Sequence, residues 1–201
     1  MKDVLIRYMK RFTDLSDDEC ERLVADVPIA TFPKGTILLH QGDVPAKCYF
    51  VLSGCIRQYK VDEDGNEHTV DFITEEQSIT ILTKHHADGR SPYSLACLEE
   101  CCLVVGDLAT EQEQYEMNPV LEAMTRDMMQ EDMGTMRDAF ASFMSSTPEE
   151  RYQTLMEKRP DLVHRVPQYQ LASYLGITPE SLSRIKKRAT RHLRIVECYH
   201  V

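Results

Sequence analysis

The stretch from Gln168 to Arg188 reads QYQLASYLGITPESLSRIKKR, and it leaves little freedom to fold as anything but a pair of helices about a tight turn. Leu171, Ala172 and Leu175 recur at helical spacing, and Gly176 falls where the first helix must end in a left-handed conformation that glycine adopts without strain. Ile177 is then an apolar plug between the two runs. The second run carries its own start signal. Thr178 suits an N-cap, and Pro179 suits the first helical position, where its fixed φ helps and its missing N–H is no loss. Leu182 and Ile185 mark an inward face. The rest of the helix start offers Thr178, Glu180, Ser181, Ser183, Arg184, Lys187 and Arg188, side chains of the kind that reach base edges and phosphates from a helix in a major groove. A helical hairpin with a solvated basic face is the plain alternative. The agreement of turn, cap and charge favours a DNA-reading helix-turn-helix.

Charge along the chain points the same way. Residues 147–201 hold ten Lys and Arg against six Asp and Glu, a balance of +4, so the remainder carries −14 of the net −10. An acidic body repels a phosphate backbone everywhere except at the basic tip, which orients the molecule on a duplex and limits indiscriminate binding. The 201 residues suffice for two small domains. No run approaches the apolar length of a membrane span, and the N-terminus reads as a charged amphipathic helix; a cytoplasmic protein with no membrane partner is expected.

Upstream, Ser16 and Glu19 form a capping-box pair ahead of Leu23 and Val24, so the first thirty residues read as mainly helical. From Pro28 the texture changes to short β-branched or alternating runs: residues 29–32, 36–40, 48–52, 56–61, 68–73 and 101–105. Turn signals separate them, the strongest being the Asp64-Gly65 pair. Such a series predicts a small antiparallel barrel or roll. After Pro119, apolar residues fall at Leu121, Met124 and Met128, then at Met129, Met133, Met136, Phe140 and Phe143, the second set in alternating steps of four and three. That second set is the seam a coiled-coil helix buries, and the slip at Met128-Met129 shows the heptad is broken there. Spacing alone leaves open whether this stripe packs against the chain's own roll, against a second subunit, or against both in turn. Thr147, Pro148 and Glu150 begin another capped helix at a domain boundary.

The run from Pro33 to Asp43, the segment Cys48 to Gly54, and Asp64-Gly65-Asn66-Glu67 resemble the β-roll of cyclic-nucleotide-binding domains. With the helix-turn-helix after it, the chain resembles, over essentially its whole length, the CRP/FNR family of bacterial transcription regulators. The resemblance implies an α+β fold: an N-terminal antiparallel β-roll with helices (residues 1–118), a long dimerisation helix (119–146) and a winged-helix-type DNA-binding domain (147–201). It also implies a homodimer on an inverted-repeat operator, with RNA polymerase as a further candidate partner. Glu180 and Arg184 match the family's base-reading acid and arginine, while Pro179 replaces a further arginine.

Three departures from the family follow. Cyclic-nucleotide binding needs an arginine for the phosphate and an acid for the ribose hydroxyl. Thr80 and Ile81 stand about where a Gly-Glu pair belongs; Arg90 and Ser91 resemble the arginine-serine pair, but Pro92 follows and the register is displaced. These four residues are the candidate effector pocket, and cyclic AMP or GMP is not the expected effector; no cofactor is assigned. Second, Cys20 stands alone in the N-terminal thirty residues, and the seven cysteines show no C-x-x-C spacing, Cys101 and Cys102 being adjacent and the other five dispersed, which argues against a cluster, a metal centre or a disulfide framework. His85 and His86 read as loop residues. Third, only thirteen residues follow Arg188, so the wing is short or incomplete, with a single closing strand from Arg194 to Tyr199. No nucleophile-base pair, phosphate-cradling glycine loop or metal spacing supports an enzyme. The remaining alternative is a β-roll sensor or protein-interaction module without DNA binding.

Overall fold

The computed structural model describes residues 2–79 and 88–198. It divides into two compact units, Met1–Arg137 and Asp138–Val201. In the first, α1 (Lys2–Met9) and α2 (Asp17–Leu23) precede eight strands, β1 (Ile29–Phe32), β2 (Ile37–Leu39), β3 (Lys47–Ser53), β4 (Ile56–Val61), β5 (Glu67–Ile73), β6 (Ser78–Ile79), β7 (Ser94–Cys97) and β8 (Cys101–Asp107). Helix α3 (Glu111–Met117) then leads to α4 (Pro119–Ser145), within which the division falls. The second unit continues with α5 (Pro148–Lys158), α6 (Leu162–Arg165), α7 (Gln168–Tyr174) and α8 (Pro179–Cys198).

The strands form two antiparallel four-stranded sheets, ordered β1-β8-β3-β6 and β2-β7-β4-β5. Period-two alternation sends Val51, Cys101 and Leu103 of one sheet and Ile56, Ile73, Leu95 and Cys97 of the other into a shared core. The outer face of the first sheet is apolar as well: Phe50, Leu52 and Cys102 pack on Tyr8 of α1, with Val104 and Met128 beside them. Fully burying such a side chain contributes about 1.5–3 kcal/mol, so α1 and the start of α4 are held to the roll by this layer.

That layer explains the slip in the α4 pattern. Leu121, Met124 and Met128 join clusters with α1 and α2, whereas Met129, Met133, Met136 and Phe140 are exposed, Met136 at 71% and Phe140 at 66%. One helix thus carries two stripes, the first covered by its own unit and the second uncovered in the single chain.

The expected strand from Arg194 to Tyr199 is corrected by the structure. Residues 194–198 continue α8, and Tyr199 lies outside the described residues. No glycine or proline stands between Pro179 and Cys198 to end the helix, and Lys186, Lys187, Arg188, Ala189, Arg191 and Leu193 are all good helix formers. The β-branched pair Ile195-Val196, read as strand, follows a helix that is already propagating. The expected roll, long helix and helix-turn-helix are otherwise present, and β6, β7, α3 and α6 are additions that the sequence pattern did not isolate. Among the described residues, no helix is long and apolar enough to cross a membrane.

Candidate nucleic-acid interface

The turn between α7 and α8 is fixed by backbone bonds. Gly176 has φ +67°; its N–H donates to the Ser173 carbonyl at 3.0 Å, and the Ile177 N–H reaches back to the Ala172 carbonyl at 3.0 Å. These two bonds make a Schellman closure, which satisfies carbonyls that the helix end would leave orphaned. A side chain at Gly176 would be strained by φ and crowded as well, since a Cβ there would stand 3.1 Å from both Arg151 Nη1 and the Phe143 ring. Thr178 then caps α8: its Oγ1 accepts the Ser181 N–H at 3.2 Å, and its carbonyl accepts the Leu182 N–H at 3.0 Å.

Burial fixes which way α8 faces. Leu182 and Ile185 are buried with Leu171, Ala172 and Leu175 of the first helix and its cap, and Leu155, Leu162 and Val166 from α5 and α6 are buried in the same unit. Thr178, Glu180, Ser183, Arg184, Lys187 and Arg188 are exposed, and Ser181 is half-buried. Glu180 and Arg184 lie one turn apart on that outer face. The Glu180 carboxyl is held below the usual carboxylate range, first by its own backbone N–H, then by the Thr178 hydroxyl and the Arg184 charge. It is therefore an ionised acceptor at neutral pH. Arg184 Nη2 donates to Ser181 Oγ at 3.2 Å, which aligns the guanidinium along the helix start.

Two basic side chains have partners that no local pattern announced. Arg188 Nη1 lies 3.0 Å from Glu149 Oε1 at the start of α5, and Lys186, half-buried, bonds the Gln168 side chain of α7. Phe143, expected in the seam, takes the Arg151 guanidinium over its ring at 4.2 Å, a cation–π contact inside its own unit.

The candidate effector pocket in the roll is built differently. Thr80 and Ile81 lie outside the described residues, as do His85 and His86. Arg90 Nη1 donates to the Gly42 carbonyl at 2.6 Å. Ser91 is buried, its hydroxyl donating to the Tyr93 carbonyl at 2.7 Å and accepting the Tyr93 N–H at 3.1 Å. Its backbone is paired with Gly42 and Asp43 at 2.8 Å in each direction. Both side chains are thus bonded within the protein, as braces of the loop that opens near residue 42. The cysteines are less dispersed in space than in sequence. Cys97 and Cys101 share a thiol hydrogen bond that raises the first pKa and lowers the second, with Cys55 beside them, and all three are buried thiols outside any disulfide. Among the described residues no group of three His, Cys, Asp or Glu could hold a metal ion.

These geometries have counterparts in known proteins. Residues 29–113 match the cyclic nucleotide-binding domain family. Across most of the chain, the structure is similar to the c-di-GMP responsive global regulator CLP of Xanthomonas campestris, with a TM-score of 0.64, 18% identity, and coverage of 88% of this chain and 93% of that one. FixK2 of Bradyrhizobium japonicum gives a TM-score of 0.68 at 16% identity, with 83% of this chain and 85% of that one covered. The Thermus thermophilus catabolite activator protein gives 0.52 at 17%, with 90% and 86% covered. This chain has the fold of the CRP/FNR regulators. No curated protein matches it in sequence. Within the CRP/FNR fold, the domain match runs from β1 into α3 and so covers the roll but neither α4 nor the helix-turn-helix, which rest on the structural likeness.

Proposed function

We propose that this chain is a sequence-specific DNA-binding transcription regulator of the CRP/FNR type, acting in the cytoplasm as a homodimer on an inverted-repeat operator. The observation that carries the reading is the exposed polar face of α8, with ionised Glu180 and Arg184 one turn apart above a closed glycine turn. Glu180 accepts from a cytosine N4 amine, and Arg184 forks onto guanine O6 and N7. Thr178, Ser181, Ser183, Lys187 and Arg188 supply polar or phosphate contacts. The uncovered stripe of Met129, Met133, Met136 and Phe140, extended by Phe143, is the surface a second copy would bury, a reading its four-three spacing supports. RNA polymerase is the further partner such a regulator implies.

The effector, on this reading, is not a cyclic nucleotide. Arg90 Nη1 and the Ser91 hydroxyl are bonded to Gly42 and Tyr93 within the roll, so a cyclic phosphate would have to share or displace these bonds. A gel-shift titration of the purified protein against genomic fragments, repeated over a salt series, tests the reading. Binding with a steep negative salt dependence and a preferred fragment supports it. Failure to shift any duplex would leave a sensor or protein-docking roll in its place.

A further inference from the structure

The pair Arg188–Glu149 has a consequence for how strongly α8 can hold DNA. Two acids stand side by side at the start of α5, and they do different work. Glu150 is the capping residue: its carboxylate accepts the Thr147 N–H at 2.7 Å and the Thr147 hydroxyl at 2.9 Å, bonds that pull its pKa down. Glu149 faces the other way in function, its Oε1 standing 3.0 Å from Arg188 Nη1. Arg188 follows Glu180 and Arg184 at four-residue steps, so it continues the row that carries the base-reading pair. A carboxylate and a phosphate offer a guanidinium the same two-oxygen acceptor.

We propose that Glu149 is an affinity-setting residue, an intramolecular stand-in for a DNA phosphate that Arg188 must leave before it can contact the duplex. The proposal rests on the DNA-binding reading above and adds to it a residue outside the helix-turn-helix. Glu149 touches no base in this scheme. It lowers affinity for every sequence alike, and sequence choice stays with Glu180 and Arg184.

The test uses the full chain and two duplexes of equal length, one enriched by selection from a random-sequence pool and one scrambled. Both partners of the pair are about half exposed or more, so Glu149→Gln leaves the core and the Glu150 cap in place, which a thermal melt checks. Glu149→Gln should tighten both complexes about three- to fivefold at low salt, the upper range for an exposed pair, with the gain shrinking as salt rises. In an Arg188→Ala background the same change should have almost no effect. If the parent protein binds the selected duplex and Glu149→Gln does not tighten it, the proposal fails while the DNA-binding reading stands. If the gain persists in the Arg188→Ala background, the cause is general charge reduction and the proposal is again overturned. If the parent protein binds no duplex at all, the reading falls and the proposal with it.

Discussion

The helix-turn-helix and the β-roll treat their arginines in opposite ways. On α8, Arg184 is exposed, bonded to the Ser181 hydroxyl and facing the Glu180 charge, whereas Arg90 in the roll, also exposed, donates to a backbone carbonyl of its own loop and its neighbour Ser91 is buried and bonded on both sides. One region presents its chemistry outward and closes its backbone beneath it. The other turns the corresponding chemistry into scaffolding. On the proposed reading, a shared fold and a shared ligand are separable: the roll has the fold while Arg90 and Ser91 bond within their own loop, and the exposed face of α8 carries the groups that would meet a duplex.

The contrast breaks most visibly at the uncovered α4 stripe. Replacing Met136 and Phe140 together by glutamate puts unpaired charge into the seam, so the dimer should dissociate at micromolar concentration and operator affinity should fall roughly a hundredfold or more, because two half-sites are no longer held together. Sedimentation and gel shift check both halves of this. Arg184→Ala should cost about 1–3 kcal/mol on the preferred site and relax preference at one base pair. Lys187→Ala, on the same exposed face, should instead weaken all sequences alike and reduce the salt slope by about one. Titrations over a salt series separate the two. Gly176→Ala should destabilise the C-terminal unit by about 1–3 kcal/mol in urea unfolding, from the positive φ and the crowding against Phe143 and Arg151. The smallest expected effect is none: calorimetry with cyclic AMP or cyclic GMP should show no one-to-one complex at micromolar affinity, and a tight one would mean that the braces of the roll yield to a ligand.

How much of this was legible in the chain depends on how local the determining interactions are. Gly176, Thr178 and Pro179 decide the turn and the second helix within four residues, so the sequence sufficed there. The capping pairs Ser16 with Glu19 and Thr147 with Glu150 were legible for the same reason, and both close in the structure. Strand β6 has two residues and exists through its pairing with Tyr49 and Phe50 of β3, and β7 reads Ser-Leu-Ala-Cys with no β-branched residue, so neither carries a signal of its own. The end of α8 was misread because Ile195 and Val196 look like strand, although helix propagation from Pro179 outweighs that local preference. Cys97 meets Cys101 across the short connection by which the chain passes from β7 of one sheet to β8 of the other, whereas Arg188 meets Glu149 across 39 positions with no motif to announce it. Tertiary pairings of this kind have no sequence period to read.

The central claim is that the exposed face of α8 reads DNA from a two-fold dimer, and selection of bound duplexes from a random-sequence pool tests it most directly. The account predicts an enriched inverted repeat whose half-sites lie about one helical turn apart, with a guanine position that loses its preference in Arg184→Ala. Enriched sequences without inverted symmetry, or a preference that Arg184→Ala leaves unchanged, would contradict it.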